Sequence, residues 1–232
     1  MKRFYKIAEA APAEAGWTVT LDGRPIRTPA KAGFFAPTRA LAIAAAEEWM
    51  AQEERVNPAE MPITRAVNTA IDRTGPEHGA VVEIVAAYGG TDLVSYRAEA
   101  PEALRARQAA AWDPLVDWAA STLDARLVVT TGVMPTLQPE DGRRNLAAAV
   151  AAHDAFRLTA LYDLTALSGS LVIALAVAAG RLPAAEGWRA SRIDETWQEE
   201  QWGRDAAAAE IAARKERDFL AAVRLLALLD DA

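Results

Sequence analysis

Residues 16–29, GWTVTLDGRPIRTP, are the stretch that decides the fold class. From Trp17 to Leu21, apolar side chains alternate with threonines, a period of two residues that is typical of a β-strand with one buried face. Asp22-Gly23 follows directly, and Asp-Gly between alternating segments is a strong β-hairpin signal because the tight turn needs positive φ angles. Pro25 has no N–H to donate to a neighbouring strand, so the returning strand is predicted to lie at an edge or to be interrupted.

The segments around this hairpin complete a mixed N-terminal domain. Phe4–Ile7 is a candidate for one more strand, upstream of the hairpin. Helices are predicted downstream at three places: from Pro37-Thr38 onwards, over Pro62–Asp72 and over Glu77–Tyr88. Gly89-Gly90 breaks the helical pattern, and we place the end of the first domain near it, at residue 95.

From about Pro101 onwards the pattern is almost entirely helical. Apolar residues and one glutamine recur there at helical spacing, in the stripe Leu104, Gln108, Trp112, Leu115, Ala119 and Leu123. Later helices are predicted over 139–152, 154–167, 169–180, 183–203 and 205–229. A short β-like run, RLVVTTGVMP at 126–135, interrupts them, and its partner cannot be assigned. The predicted fold class is therefore α+β, with an N-terminal β-hairpin/helix domain over 1–95 and a helical domain over 96–232.

Composition excludes several classes of function. Acidic residues outnumber basic ones by 32 to 25, and the net charge of −7 would repel a nucleic-acid backbone. The chain has no cysteine, so disulfides, thiolate nucleophiles and zinc-thiolate sites are excluded. The N-terminus turns polar too soon for a signal peptide, and the apolar run Leu171–Ala179 is too short to cross a bilayer. We expect a cytoplasmic protein that does not insert into membranes.

Motifs of the common enzyme classes are also absent. The sequence contains no P-loop, no G-x-G-x-x-G, no H-E-x-x-H and no G-x-S-x-G. His78 and His153 lie far apart in the chain, and Ser168–Ser170 is typical of a junction between helices. We therefore predict no catalytic residue, no bound metal and no cofactor.

One short stretch, SRIDETWQEEQWGRD at 191–205, concentrates carboxylates and tryptophans. On a continuous helix, residues three, four and seven apart share a face, which predicts one mixed face of four residues: Arg192, Glu195, Glu199 and Trp202. Ile193 and Trp197 fall on a different face. We expect Trp197 to lie in the core and Trp202 to flank the carboxylates.

Three interpretations of this stretch remain open on pattern alone. It could be a solvated acidic face in which Arg192 pairs with Glu195 or Glu199. It could be a surface for a partner protein, because tryptophan beside charge is enriched at interfaces. It could also use Glu195 and Glu199 as a metal-binding or acid/base pair in a hydrolase or metalloenzyme, although no histidine accompanies them.

Blocks of sequence along nearly the whole chain resemble one known family, the assembly chaperones of the F-type ATP synthase alpha chain, also called the ATP-twelve family. The resemblance is carried by the order and spacing of seven blocks: KRFYK, LDGRPIRTP, ALAIAAAEEW, MPITRAVNTAID, TDLVSYRAEAPEAL, QAAAWDPLVDWA and SRIDETWQEEQWG. It implies a non-enzymatic chaperone whose C-terminal domain is an orthogonal helical bundle. The implied partner is the unassembled alpha subunit, which is kept from self-association until alpha and beta form their ring.

The resemblance also suggests roles for individual residues. Glu195 is the predicted functional carboxylate, and the predicted partner-binding residues around it are Arg192, Gln198, Glu199 and Trp202. Four residues are predicted to be structural: Trp49, Trp112, Asp113 and Trp197. Asp113 precedes Pro114 and could break or kink its helix. Eukaryotic members carry an import presequence that is not found here, so we expect a bacterial member.

Overall fold

The computed structural model describes residues 2–14 and 16–231 and confirms the predicted α+β class. The strands of the described chain are β1 (Ala8–Ala13), β2 (Gly16–Leu21), β3 (Arg24–Pro25), β4 (Tyr96–Arg97) and β5 (Thr130–Thr131). The α-helices are α1 (Arg39–Met50), α2 (Pro62–Thr69), α3 (His78–Ala87), α4 (Glu102–Thr122), α5 (Glu140–Ala151), α6 (Ala155–Ser168), α7 (Leu171–Ala178), α8 (Ala184–Ser191), α9 (Ile193–Trp202) and α10 (Ala206–Asp230). No helix of the described residues is both long enough and apolar enough to span a membrane.

Two compact units make up the chain. One contains the residues up to His78 together with Asp154–Ala160 and the residues from Ala221 onwards. The other contains Gly79–His153 and Leu161–Leu220. The residues of each unit contact one another, but these contacts do not show which part of the chain folds independently. The domains 1–95 and 96–232 therefore remain a proposal.

The predicted hairpin is present in the first unit. β2 and β3 pair antiparallel, with Leu21 opposite Arg24. Asp22 and Gly23 both have positive φ, 48° and 78°, as a two-residue turn of this kind requires. The sheet order is β1-β2-β3, so the two-residue strand with Pro25 lies at an edge, where its missing N–H leaves no ladder bond unmade.

The prediction of a strand over Phe4–Ile7 was wrong. The first strand is β1, residues 8–13, and it pairs with all of β2 from Ala8–Leu21 to Ala13–Gly16. Its sequence, AEAAPA, is poor in the branched and aromatic residues that mark strands, so propensity gave no signal. Pairing to a strongly β-forming neighbour decides the conformation instead.

Helix α1 packs on β1 and β2 and begins at the predicted place. The Thr38 hydroxyl accepts a hydrogen bond from the Leu41 N–H at 3.2 Å and so caps its first turn. Near the other end of α1, the buried Glu48 carboxylate accepts hydrogen bonds from the N–H groups of Ile63 and Thr64, both at 2.7 Å. Burial raises the pKa of Glu48, and these bonds oppose that rise. This side chain fixes the start of α2 against α1.

A turn of π-helix, Ala70–Thr74, continues α2 and places Asp72 against a loop of the same unit. The Asp72 carboxylate accepts a hydrogen bond from the Thr28 hydroxyl at 2.6 Å and another from the Ala30 N–H at 3.0 Å. The predicted helix over Pro62–Asp72 therefore exists but changes its winding within its last residues. The LDGRPIRTP block is held to it by the Asp72 side chain.

The second unit is built around α4 and the apolar helix α7. Trp112 of α4 is 1% exposed, and its indole N–H donates to the Ala190 carbonyl at 2.9 Å, which supports the predicted structural role. Pro114 does not break α4, which runs through it to Thr122. The β-like run at 126–135 finds its partner here, because β5 pairs in parallel with β4.

A buried aspartate fixes the start of α7. Asp92 is inaccessible to solvent and accepts hydrogen bonds from the Ser170 hydroxyl at 2.5 Å and from the Val172 N–H at 3.0 Å. Burial raises the pKa of Asp92 to about 6, although these hydrogen bonds act in the opposite direction. Ser168–Ser170 is the predicted junction between helices, with Ser170 as the N-cap of α7.

Candidate functional site

The sequence pattern predicted one continuous helix over 183–203, but the structure has two helices there, and the break falls within the acidic stretch at 191–205. Arg192 interrupts it with φ −114° and ψ 17°, so α8 ends at Ser191 and α9 begins at Ile193. The Ser191 hydroxyl donates to the Trp188 carbonyl at 2.7 Å, a local bond that competes with helix continuation. Because Arg192 separates α8 from α9, the two helices do not follow a single helical register.

Arg192 and Glu195 form the predicted ion pair. The Arg192 guanidinium donates to the Glu195 carboxylate at 2.6 Å and lies 5.7 Å from the centre of the Trp188 ring. The Glu195 side chain is 45% exposed, so one of its oxygens can be engaged while the carboxylate still faces solvent. Glu199 is half-buried one turn later. The expected contact between arginine and carboxylate is therefore present, and it leaves Glu195 accessible.

A groove of about 590 Å³ lies along the neighbouring face of α9. Four residues of α9 line it: Asp194, Trp197, Gln198 and Trp202. The facing walls come from the segment around β4 and from the loop after β5, with these residues: Leu93, Tyr96–Pro101, Leu104, Gln108, Trp112, Gly132 and Val133. Two of the five predicted partner-binding residues, Gln198 and Trp202, thus share this groove, whereas Arg192, Glu195 and Glu199 do not line it.

The two tryptophans of α9 both line the groove. Trp202 is 80% exposed, in line with the expectation that it lies outside the core. Trp197 is half-buried and faces the groove, so the expectation that it lies within the core was wrong. Ile193, one turn earlier on α9, is the residue of this helix that is buried.

Hydrogen bonds from α4 hold the groove in shape. Gln108 donates to Asp194 at 2.6 Å and accepts from the Ala98 N–H at 2.7 Å, so its amide joins α9 to the wall beside β4. Buried Arg97 donates to Asp113 at 2.5 Å, and its guanidinium lies 5.1 Å from the centre of the Trp112 ring. These contacts give Asp113 a positioning role at the groove. The sequence had indicated for Asp113 only a break or kink of its helix.

An ion pair at the outer end of α9 was missed by sequence analysis. Arg107 of α4 donates to Glu200 at 2.7 Å. This hydrogen bond lowers the pKa of Glu200 and raises that of Arg107. Both side chains are at least partly exposed, so the pair adds little stability.

Exposed apolar side chains extend the groove beyond α9. The loop after β5 presents Val133, Met134 and Leu137, which are 91%, 76% and 86% exposed. Val133 lines the groove together with Trp202. The sequence pattern had indicated only a β-like run over 126–135, and not an exposed apolar surface. A signal for such a surface was present, because GVMPTLQP places large apolar residues among glycine and prolines, where no regular element can bury them. Large exposed apolar side chains next to a groove are typical of interaction sites.

The geometry gives no support to a catalytic or metal-binding centre on α9. Glu195 is paired with Arg192, and among the described residues no three His, Asp or Glu side chains are grouped so as to hold a metal ion. His78 and His153 both take part in other interactions. Acidic residues on α9, the tryptophans that line the groove and the apolar loop after β5 together form an arrangement that is suited to contact with a protein surface.

Trp49 and its surroundings belong to the first unit. The Trp49 ring packs edge-on against Tyr5 with ring centres 5.6 Å apart, and the Tyr5 hydroxyl donates to the Trp49 carbonyl at 2.6 Å. Trp49 is half-buried beside the small core of Tyr5, Ala8 and Leu21. Its placement supports the predicted structural role, which stays a prediction.

Comparison with known proteins gives one family model and several solved structures. Residues 2–120 match the model described as ATP12 chaperone protein. The crystal structure of Atp12 from Paracoccus denitrificans has 47% sequence identity and a TM-score of 0.94, and the match covers 98% of each chain. An aspartate-to-lysine mutant of the P. denitrificans protein gives the same identity and TM-score over 98% of this chain and 97% of that one. A structure from Agrobacterium tumefaciens is 44% identical with a TM-score of 0.94, covering 98% of this chain and 86% of that chain.

Proposed function

Because the chain belongs to the ATP12 chaperone family, we propose that it binds the unassembled alpha subunit of the F-type ATP synthase. It covers the alpha surface that later meets beta, and it gives alpha up as the alternating ring forms. The chain is a chaperone; the choice of alpha as its client is what the proposal adds. A lone alpha subunit exposes apolar surface intended for a neighbour, and such surface self-associates unless it is covered.

One observation carries this proposal: exposed apolar side chains, here called the apolar rim, are found on α9 at the groove and on the loop after β5. Trp202, Val133, Met134 and Leu137 are all at least three-quarters exposed. Leaving large apolar side chains in water is unfavourable, and each is worth roughly 1.5–3 kcal/mol once fully buried. A client surface that covers the rim recovers this free energy, whereas a protein without a partner gains nothing from it.

The acidic residues beside the rim suit a client that must later be released. Glu195, Glu199 and Glu200 lie on α9, and the chain as a whole carries −7 charges. Charges at the rim of an interface speed up association and are screened by salt, so they favour a partner with basic surface without making the complex permanent. We propose Glu195 as a contact residue on this basis, with Gln198 and Trp202 contacting the client from within the groove.

Neither alternative accounts for the exposed apolar side chains beside α9. A hydrolase or metalloenzyme using Glu195 and Glu199 is not supported, since Glu195 engages Arg192 and the two carboxylates lie outside the groove. A solvated acidic face accounts for the Arg192–Glu195 pair and for the 45% exposure of the Glu195 side chain, but it does not explain the exposed Trp202 at the groove. We infer that the protein acts without catalysis, in the cytoplasm of a bacterium.

Co-expression with the cognate alpha and beta chains tests the proposal. Affinity-tagged chaperone is expected to retain alpha and to leave beta in the flow-through, with no nucleotide added. Retention of beta alone, or of both chains equally, would show that the proposed client is wrong.

A further inference from the structure

Two carboxylates line the α9 groove without a paired cation in the described chain, Glu99 and Asp194. Glu99 is exposed, and its side chain lies against the loop after β5, since a β-carbon added to Gly132 would lie 2.6 Å from the Glu99 Oε1 atom. Asp194 is half-buried, and its Oδ1 atom accepts from the neutral amide of Gln108 at 2.6 Å. One carboxylate therefore belongs to the wall beside β4, and the other belongs to α9.

The arginines near these carboxylates are already engaged. Arg97 is the one basic residue of the groove lining among the described residues, and it is 5% exposed. It donates to Asp113 and to two backbone carbonyls, so its charge is compensated within the wall. Arg105 pairs with Glu102 and bonds only to the backbone carbonyl of Glu99. The groove therefore presents negative charge that the described residues leave uncompensated.

Trp197 and Trp202 add aromatic faces to the same groove. Elsewhere in the described chain, four arginines lie over aromatic rings, with guanidinium carbons between 4.8 and 5.7 Å from the ring centres. No arginine or lysine among the described residues lies over either tryptophan of the groove. Ring faces attract cations, and tryptophan does so most strongly. The groove thus offers both carboxylates and tryptophan to a cation that comes from outside.

We propose that the α9 groove takes up a basic side chain, arginine or lysine, of the bound client. Its charged group lies between the tryptophans and the two carboxylates, as Arg97 lies over the Trp112 ring and donates to Asp113 inside the wall. Its aliphatic stem and a neighbouring apolar residue of the client pack on Leu104 and Val133, which line the same groove. This inference rests on the proposed function only in taking the groove as the place where the client binds.

Selection of random peptides displayed on phage tests this recognition without any alpha subunit. The library is panned in parallel on immobilised full-length wild type and on Trp202→Ala, and peptides enriched on wild type alone are the groove binders. These peptides are expected to carry arginine or lysine next to a large apolar residue more often than the unselected library does. Groove binders without this enrichment, or the absence of groove binders, would overturn the proposal.

Binding of one such peptide to purified variants measures the effect of the carboxylates. Glu99→Gln/Asp194→Asn keeps the shape of both side chains and is expected to weaken binding about two- to thirtyfold, the range for two exposed ion pairs. Its matched control, Glu216→Gln/Asp117→Asn, makes the same change of charge at two exposed positions outside the groove. If the first double variant does not fold, Glu99→Gln is compared with Glu216→Gln. Equal weakening by variant and control, or no weakening, would overturn the proposal.

The peptide experiments and the capture of alpha fail separately. If wild type retains alpha but its groove peptides carry no basic residue, the inference about the groove is wrong and the proposed client stands. If the groove peptides are basic but tagged wild type does not retain alpha, the choice of alpha is wrong and the inference about the groove stands.

Discussion

Trp202→Ala is the substitution that most clearly separates folding from client binding. Trp202 is 80% exposed, so only about a fifth of its surface is buried in the free protein. For a tryptophan of about 250 Å² this is about 50 Å², which at about 25 cal/mol/Å² stabilises the fold by about 1 kcal/mol. In a chain of this size, 1 kcal/mol shifts the melting temperature by about 2–4 °C. The variant is therefore expected to fold and to melt within about 4 °C of the wild type.

Capture of alpha is expected to respond much more strongly. A tryptophan buried at the centre of an interface typically costs at least about 2 kcal/mol on truncation, which is about a thirtyfold rise in Kd. The assay measures binding of freshly isolated alpha subunit to immobilised chaperone, next to a thermal melt of the same sample. Tyr162→Ala is the matched control, because Tyr162 is an exposed aromatic residue that does not line the groove. Unchanged capture by folded Trp202→Ala would refute the role of the apolar rim.

Three further predictions concern single residues. Glu195→Gln removes one partly exposed ion pair, so it is expected to change the free energy of unfolding by no more than about 0.5 kcal/mol but to weaken alpha capture, and Glu195→Lys is expected to weaken capture further. Glu216→Gln, at an exposed position on α10, is the control. A lower melting temperature with normal capture per folded molecule would contradict this prediction. Trp49→Arg is expected to yield insoluble or strongly destabilised protein, because it places a charge beside the core of Tyr5, Ala8 and Leu21. Expression followed by a thermal melt measures this, and a wild-type melting temperature would contradict it. Burial raises the pKa of Asp92 from its ordinary 3.8 to about 6 in the folded protein, so its contribution to stability is fully present below about pH 4 and is lost as the pH rises through about 6. Denaturant titrations at about pH 5 and about pH 7.5 are expected to show that wild type loses stability relative to Asp92→Asn at the higher pH. A stability difference that does not change with pH would contradict the raised pKa of Asp92.

Local signals in the sequence predicted the fold class correctly. Asp22-Gly23 gave the hairpin turn because positive φ is a property of those two residues and depends little on the rest of the chain. The stripe on α4 gave the burial of Trp112 because helical spacing alone puts it on the apolar side. Both features are set within a few residues.

Features that depend on distant partners were not predictable in the same way. β1 forms from an alanine-rich segment because β2 pairs with it, and β4 finds β5 more than 30 residues along the chain. The break at Arg192 depends on a serine bond to a carbonyl that the helical pattern does not register. The walls that face α9 in the groove come from the segment around β4 and the loop after β5, both far from α9 in the sequence, so the candidate site was predicted in its residue types but not in its geometry.

Identification of the captured subunit tests the central claim most directly. Tagged chaperone, co-expressed with alpha and beta, is purified without nucleotide, and the bound chains are quantified by mass spectrometry for wild type, Trp202→Ala and Tyr162→Ala. The account predicts that wild type and Tyr162→Ala retain alpha in large excess over beta, while Trp202→Ala retains little of either chain. Retention of beta in equal or greater amount by the wild-type protein would contradict the account.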